Sequence, residues 1–100
     1  MSEHAEQPVG EVTHFFRKIH VATVRLNAPV RRGDRLHVKG ANDDFVVRVR
    51  SMEIDHQAVD EAKPGDHVGI EVPKRAHEGD VVLRVESKPR LPWLARLLGS

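Results

Sequence analysis

The amino-acid sequence predicts an all-β fold, a small closed barrel of six strands. Short segments rich in β-branched residues, with apolar and polar positions in alternation, cover most of the chain from Val9 to Glu86, and none has a helical period. Gly-Asp pairs stand directly before three of these segments and mark turns. Many short strands separated by turns are typical of sandwiches and barrels, and closure removes the exposed strand edges that promote aggregation.

Six segments are predicted as strands, and in chain order they are VGEVTHFF, IHVATVRLN, RLHVK, DFVVRVRSMEID, HVGIEV and DVVLRVE. The apolar positions of the fourth segment alternate up to Val49 and resume at Met52, one step out of register. A strand cannot bury both sets without an extra residue. We therefore predict a β-bulge or a sharp bend near Arg50 and Ser51.

Three of the predicted turns share a Gly-Asp pair, in RRGD, KPGD and HEGD. Glycine supplies the positive φ that such a turn needs, and the aspartate side chain can accept a hydrogen bond from nearby backbone as the chain enters the next strand. Phosphate-binding loops need a glycine-rich turn between a strand and a helix. We therefore interpret Gly33, Gly65 and Gly79 as structural corners.

The two ends of the chain differ from its body. Residues 1–8 are polar and aperiodic and are predicted to form a flexible lead-in, whereas residues 9–86 form the barrel. In segment 87–100, Pro92 suits a first helical turn, and an apolar stripe at helical spacing predicts a short amphipathic helix. The stripe consists of Leu91, Trp93, Leu94, Leu97 and Leu98. It can pack on its own barrel, or bind a partner protein or a second copy of the chain; adsorption to a membrane surface ranks third.

Length and composition favour one cytoplasmic domain. The chain has 100 residues, and its 16 Lys plus Arg nearly balance 15 Asp plus Glu, so any basic site must be local. The absence of Cys excludes disulfides, thiolate metal sites and cysteine nucleophiles. The N-terminus lacks a secretory signal, and no segment approaches the ~20 apolar residues of a membrane span.

Reactive or metal-binding constellations are not indicated. His14, His20 and His37 could approach one another, but no pair of histidines has the spacing of a zinc site, so we expect no metal. The acidic pairs Asp43-Asp44 and Asp60-Glu61 are interpreted as solvated turn residues, and no Ser, Thr or Lys has a nucleophile context. We expect no catalytic residue, no cofactor and no enzymatic activity.

Cationic side chains are the best candidates for a binding site. Several fall in predicted loops or on outward strand positions, where they could converge on one face and contact phosphates. Arg31, Arg32, Arg48 and Arg50 are the residues that we predict to contact RNA. A solvated face without a ligand is the alternative interpretation.

The order and spacing of the predicted strands and Gly-Asp turns resemble those of domain 2 of translational GTPases such as elongation factor Tu. The matching pieces are VGEVTHFF, APVRRGDRLHVKG, SMEIDHQAVDEAKPGDHVGIEV and HEGDVVLRV, between about Val9 and Val85. Small stand-alone translation elongation factor-like proteins resemble the chain most closely, and the barrel appended to some collagenase-like peptidases is similar.

This resemblance implies a barrel of the translation-factor domain-2 type and a non-catalytic binding module that contacts RNA or the translation machinery. No G-x-x-x-x-G-K-[ST] loop is present, so no nucleotide is expected. The alternative function is a protein-interaction adaptor whose C-terminal segment engages a partner.

Overall fold

The computed structural model describes residues 4–87, and within this range it contains strands and turns but no helix. An all-β fold is therefore confirmed, and no helix of the described range could cross a membrane. The strands are β1 (His4–Phe16), β2 (Val21–Leu26), β3 (Val30–Arg31), β4 (Arg35–Lys39), β5 (Asp44–Arg48), β6 (Met52–Ile54), β7 (Gln57–Val59), β8 (Glu61–Ala62), β9 (His67–Glu71) and β10 (Val81–Ser87). β1 begins within the segment predicted as a lead-in. The predicted C-terminal helix lies outside the described residues.

Eight strands form one antiparallel sheet in the order β5-β4-β10-β1-β2-β9-β6-β7, and β3 pairs with β8 in a separate ladder. β1 joins the two halves of the sheet, because its first part pairs with β10 and its last part pairs with β2. The register of β1 shifts at Val9 and again at Thr13. Such bulges bend a strand and increase its twist, which helps the sheet to curl around its apolar face.

The concave face of the curled sheet carries the core. Its side chains come from alternating strand positions: Ala22, Val24 and Leu26 of β2 are buried, while their neighbours Val21, Thr23 and Arg25 are not. The fully buried large residues are Val9, Val12, Val30, Leu36, Val49, Met52, Val68, Ile70 and Val82. Most of them are β-branched, which suits a small core built from strands.

The three Gly-Asp corners are confirmed and have the same geometry. Gly33, Gly65 and Gly79 have φ values of 99°, 94° and 94°. In the corner at Gly65, the Asp66 N–H donates to the Lys63 carbonyl over 3.0 Å, and the Lys63 N–H donates to Asp66 Oδ2 over 2.8 Å. The other two corners repeat both bonds with distances of 3.0 and 2.9 Å.

Each corner also binds one buried residue of a neighbouring segment. The Gly65 N–H donates to the Leu26 carbonyl over 2.8 Å, and the Leu26 N–H donates to the Asp66 carbonyl over 2.9 Å. Val49 and Val12 make the same pair of bonds with the corners at Gly33 and Gly79. The corners therefore fasten loops to the core through backbone groups that would otherwise be buried without a partner.

The prediction of a closed six-stranded barrel is wrong. The structure has ten strands, and within residues 4–87 no ladder joins β5 at one end of the large sheet to β7 at the other. The two ends are nevertheless near each other, because residues 49–51 connect β5 to β6 and can span at most about 14 Å.

The chain bends where β5 ends, and hydrogen bonds to the corner at Gly33 hold this bend in place. The chain leaves strand structure from residue 49 to residue 51, which confirms the bend predicted near Arg50 and Ser51. At this bend the Val49 N–H donates to the Asp34 carbonyl, in register with the β4–β5 ladder, and the Val49 carbonyl accepts from the Gly33 N–H. The sequence pattern identified the strands but not this use of the Val49 backbone.

Candidate functional site

A groove crosses the convex face of the sheet over β2, β9 and β6. It is lined by the outward positions of these strands, with Thr23 opposite Gly69 and Gly69 opposite Glu53. The groove has a volume of about 560 Å³. We call it the convex groove. Clefts of this size are typical of binding sites.

Gly69 gives the convex groove its depth. It lies in the middle of β9, between the buried residues Val68 and Ile70, so its absent side chain leaves space on the outer face. A Cβ at this position would lie 3.2 Å from Val21 Cγ1. A glycine inside a strand often marks a place where another molecule or backbone approaches closely.

The wall of the groove at the β1–β2 hairpin is apolar. Phe16 is 46% exposed and Ile19 is 61% exposed, although both are large hydrophobic residues. The ring of His14 contacts that of Phe16, with centroids 4.4 Å apart and planes at 68°. Neighbouring exposed apolar side chains, rimmed by polar ones, are characteristic of protein interaction sites.

The remaining rim is mostly acidic. Glu53, Asp55 and Glu71 line the groove together with His56 and His67. Within the described part of the chain, none of the three carboxylates takes part in an ion pair. The groove therefore suits a partner surface that combines apolar and cationic side chains.

A second group of polar residues lies at the β4–β5 hairpin. His77 Nδ1 is 2.6 Å from Asp43 Oδ2, and the His77 backbone N–H donates to Asp80 Oδ2 over 2.9 Å. Asp80 is only 4% exposed, and a Cβ on Gly40 would overlap its carboxylate. Burial and the hydrogen bond with Asp43 raise the pKa of Asp80, and the same bond lowers the pKa of Asp43. The carboxyl group of Asp80 therefore keeps its proton to a higher pH than that of Asp43.

One ligand atom each of Asp43, His77 and Asp80 lies within 4.8 Å of the others, so these residues have the donor types of a divalent-cation site. However, their contacts are already accounted for by the corner at Gly79 and by the hydrogen bonds of Asp43 with Asp80 and His77. Within the described range, no buried side-chain polar atom lacks a hydrogen-bond partner. The group is therefore interpreted as a structural hydrogen-bond network.

His37 lies beside this network and is held between two carboxylates. Its Nδ1 is 2.9 Å from Glu6 Oε2 and its Nε2 is 2.5 Å from Asp44 Oδ1. Carboxylate oxygens accept but do not donate, so both bonds form only when the ring carries both protons. The hydrogen bond with Asp44, followed by the contacts with Glu6, raises the pKa of His37, and the pKa of Asp44 is lowered in turn.

The structure does not gather the four predicted RNA-contacting arginines into one site. Arg48 and Arg50 line one cleft, whereas Arg31 lines another, and Arg32 pairs with Asp60 over 3.3 Å. The tail residues Leu91, Trp93, Leu94, Leu97 and Leu98, predicted to bind a partner, lie outside the described residues. No observation tests either set.

The histidines considered for a metal site have separate surroundings. His14 contacts Phe16 and Glu78, His20 contacts Phe15, and His37 is held as described above.

The sequence contains little signal for the hydrogen-bond network at Asp43 or for the convex groove. The interpretation of Asp43 as a solvated turn residue is wrong, because its side chain is 8% exposed and bonded to Asp80 and His77. The turn sequence HEGD contains two residues of the network, His77 and Asp80. The third, Asp43, lies in a hairpin 34 residues away from His77. The groove had one signal in the sequence, the glycine inside HVGIEV.

Comparison with known proteins identifies peptidases as relatives. No protein-family profile matches the chain. It is 33% identical over 82 residues to the uncharacterized protease MJ0090 of Methanocaldococcus jannaschii, a match that covers 81% of this chain and 20% of that protein. The chain thus spans about a fifth of the length of the curated relative that it matches.

Solved structures show the same fold in a peptidase domain. The C-terminal domain of a Geobacillus thermoleovorans protein assigned to the U32 peptidases superposes with a TM-score of 0.73 at 20% identity, over 80% of this chain and 92% of that domain. Its selenomethionine variant gives a TM-score of 0.73 at 19% identity, over 76% and 96% of the two chains. The fold therefore occurs as the C-terminal domain of a larger peptidase.

These relatives overturn the resemblance to translation elongation factor domain 2 and the functions inferred from it, RNA binding and protein biosynthesis. The physical reason lies in the corners. VRRGD and PGD describe a turn that fastens a strand of a curled sheet, and unrelated small β domains can use the same turn. The secondary likeness, to a barrel appended to peptidases, agrees with the relatives, and the chain is similar to the C-terminal domain of U32 peptidases.

Proposed function

We propose that this chain is a non-catalytic accessory domain of a U32-type peptidase, and that it binds the catalytic region through the convex groove. The observation that carries the proposal is the extent of the similarity: the matching segment forms a fifth of the protease MJ0090, and the solved relative is a C-terminal domain by itself. A unit of this kind is an appended module that serves the rest of the enzyme.

The geometry of the groove supports a docking role. Phe16 and Ile19 project from the β1–β2 hairpin beside the open space over Gly69, so a partner side chain can be buried between them. The acidic rim adds a charge requirement, because Glu53 and Glu71 favour a partner with Lys or Arg around its apolar anchor.

The polar networks support a role in binding over a role in chemistry. Asp43, His77 and Asp80 are joined to one another and to a corner of the fold, and His37 is held between Glu6 and Asp44. Hydrolysis of a peptide bond needs a nucleophile, or an activated water, beside a base with room for substrate. These groups instead contact structural partners.

Calorimetry tests the proposal directly. The full 100-residue chain is titrated into the protease MJ0090 from which the 82-residue matching segment has been deleted, after circular dichroism has shown that this protein is folded. We expect saturable binding, and we expect Ile19→Asp to weaken it at least tenfold, since a charge would replace an apolar anchor.

The matched control is Val81→Asp. Val81 is 43% exposed but lies on β10, outside the groove, so this change should leave the dissociation constant within about twofold. Equal binding by Ile19→Asp and Val81→Asp, or no binding by the unchanged chain, would contradict the proposed function.

A further inference from the structure

The outer edge of β5 has no strand beside it in the described part of the chain. β5 is the first strand of the large sheet and pairs only with β4. Most small β domains cover, shorten or charge such an edge, because unpaired backbone groups attract other strands. Here the edge runs along five residues and includes Val46, which is 46% exposed.

The phase of the hairpin shows which backbone groups point outward. At one end of β5 the Gly40 N–H donates to the Asp43 carbonyl, and at the other end the Val49 N–H donates to the Asp34 carbonyl, both over 2.8 Å. Hydrogen-bonded pairs alternate along an antiparallel ladder, so Phe45 and Val47 bond to β4. The N–H and C=O groups of Asp44, Val46 and Arg48 therefore point away from the sheet.

A cleft of about 430 Å³ lies along this edge, where a closed barrel would have its missing ladder. Its opposite wall is formed by His20, Val72 and Pro73. The Val72 N–H already donates to the His20 carbonyl over 2.9 Å, and Pro73 has no N–H. Neither Val72 nor Pro73 therefore has a free backbone N–H for a second ladder. A segment added in the cleft would form backbone hydrogen bonds with β5 alone.

Charge indicates what kind of segment fits. Arg48 and Arg50 line the cleft, and the exposed Lys74 and Arg75 follow its far wall. Between residues 4 and 87, none of these four cations has an ion-pair partner, and Glu71 is the one acidic residue of the lining. Exposed Val46 and the partly buried Val47 provide apolar contact between the charges.

We propose that β5 is a strand-addition site, at which an extended segment of a partner protein with alternating acidic and apolar residues pairs with the outer edge of β5 beside Arg48 and Arg50. Backbone bonds to Val46 and Arg48 would provide affinity, and the arginines would select acidic side chains. This site adjoins the convex groove, with which it shares Glu71, but it does not depend on the peptidase assignment.

The test uses a capped seven-residue peptide of alternating glutamate and valine with the full chain. Binding is followed by fluorescence anisotropy of a label on the peptide, and by the NMR shifts of the Val46 and Arg48 amides. We expect saturable binding with shift changes at both amides. N-methylation of every second peptide amide, in the phase that faces β5, should weaken binding at least about tenfold because the hydrogen bonds are lost while the charge is kept.

Two variants of one residue provide the matched control. Val46→Pro removes an N–H that points away from β4, a position where a sheet edge tolerates proline, and should weaken binding by about tenfold or more. Val46→Thr keeps the N–H and should bind within about twofold of the unchanged chain. If Val46→Pro does not fold, the N-methylated peptide still tests whether backbone hydrogen bonds hold the peptide, since the protein is then unaltered.

Several results would overturn the proposal. The proposal is wrong if the glutamate-valine peptide does not bind. It is also wrong if the N-methylated form, or a lysine-valine peptide, binds as tightly as the glutamate-valine peptide. Displacement of the peptide by a single-stranded oligonucleotide of the same net charge, with no dependence on the Val46 amide, would show a general anion site and would also reject strand addition.

Discussion

Replacement of each corner glycine by alanine gives a test of how the fold is held together. Gly33, Gly65 and Gly79 all have φ between 94° and 99°, and a Cβ built on any of them meets nothing within 4 Å. Steric overlap with neighbours therefore contributes nothing, and the cost of the change is the cost of placing an L-residue at positive φ. That cost is about 1–2 kcal/mol.

The three positions act as replicates of one another because the corners make the same hydrogen bonds. We expect Gly33→Ala, Gly65→Ala and Gly79→Ala each to lower the free energy of unfolding by about 1–2 kcal/mol, and the three values to agree within about 0.5 kcal/mol. For a domain of this size, the melting temperature should fall by roughly 4–8 °C per kcal/mol.

Urea unfolding of the full chain, followed by circular dichroism, measures these differences. Gly→Asn at the same positions is the control, because asparagine tolerates positive φ better than alanine and should cost less. A cost near zero for the alanine variants, or values that differ by more than about 1 kcal/mol between corners, would refute the claim that backbone conformation alone sets the effect.

Three further predictions concern other parts of the structure. Asp80→Asn should gain stability relative to the unchanged chain as pH rises from about 4 to about 8, because the raised pKa of Asp80 means that the folded chain loses stability when this carboxyl group ionises, whereas an amide can donate to Asp43 at every pH. Asp80→Ala should cost about 1–3 kcal/mol, and unfolding of both variants over this pH range compares them. The folded protein raises the pKa of His37, so the stabilising contribution of the charged ring is complete below the unfolded pKa of about 6.5 and is lost as pH rises through the folded pKa. In thermal melts from about pH 6 to 8 the melting temperature should fall, and His37→Gln should reduce this fall. An identical pH dependence of the melting temperature in both proteins would contradict this prediction. Gly69→Thr should fill the convex groove and abolish peptidase binding, with the Val21 side chain moving aside for a Cβ that would otherwise lie 3.2 Å from its Cγ1. Retained binding in calorimetry by a variant that circular dichroism shows to be folded would place the docking site elsewhere.

The sequence predicted those parts of the structure that depend on local chemistry. Positive φ at Gly65 and the side-chain bond of Asp66 follow from residues within one turn, and the inward positions of β2 follow from alternation. The break in strand structure after Arg48 also had a local signal, the change of phase between Val49 and Met52.

The parts that the sequence did not predict depend on contacts between distant segments. The absence of a ladder between β5 and β7 within residues 4–87 is one such part, since no side-chain pattern shows where a backbone group finds its partner. Asp43 looked like a solvated acid because its partners Asp80 and His77 are more than thirty residues away. A barrel and an open curled sheet share the same pattern of strands, so the pattern could not separate them.

Hydroxyl-radical footprinting of the chain, alone and bound to the truncated protease MJ0090, tests the docking claim most directly, since it reports side-chain exposure. We predict that Phe16 and Ile19, which are exposed in the structure, become protected from oxidation in the complex while Val81 on β10 stays as reactive as before. Unchanged oxidation of Phe16 and Ile19 in a saturated complex, or protection centred on Val81, would contradict it.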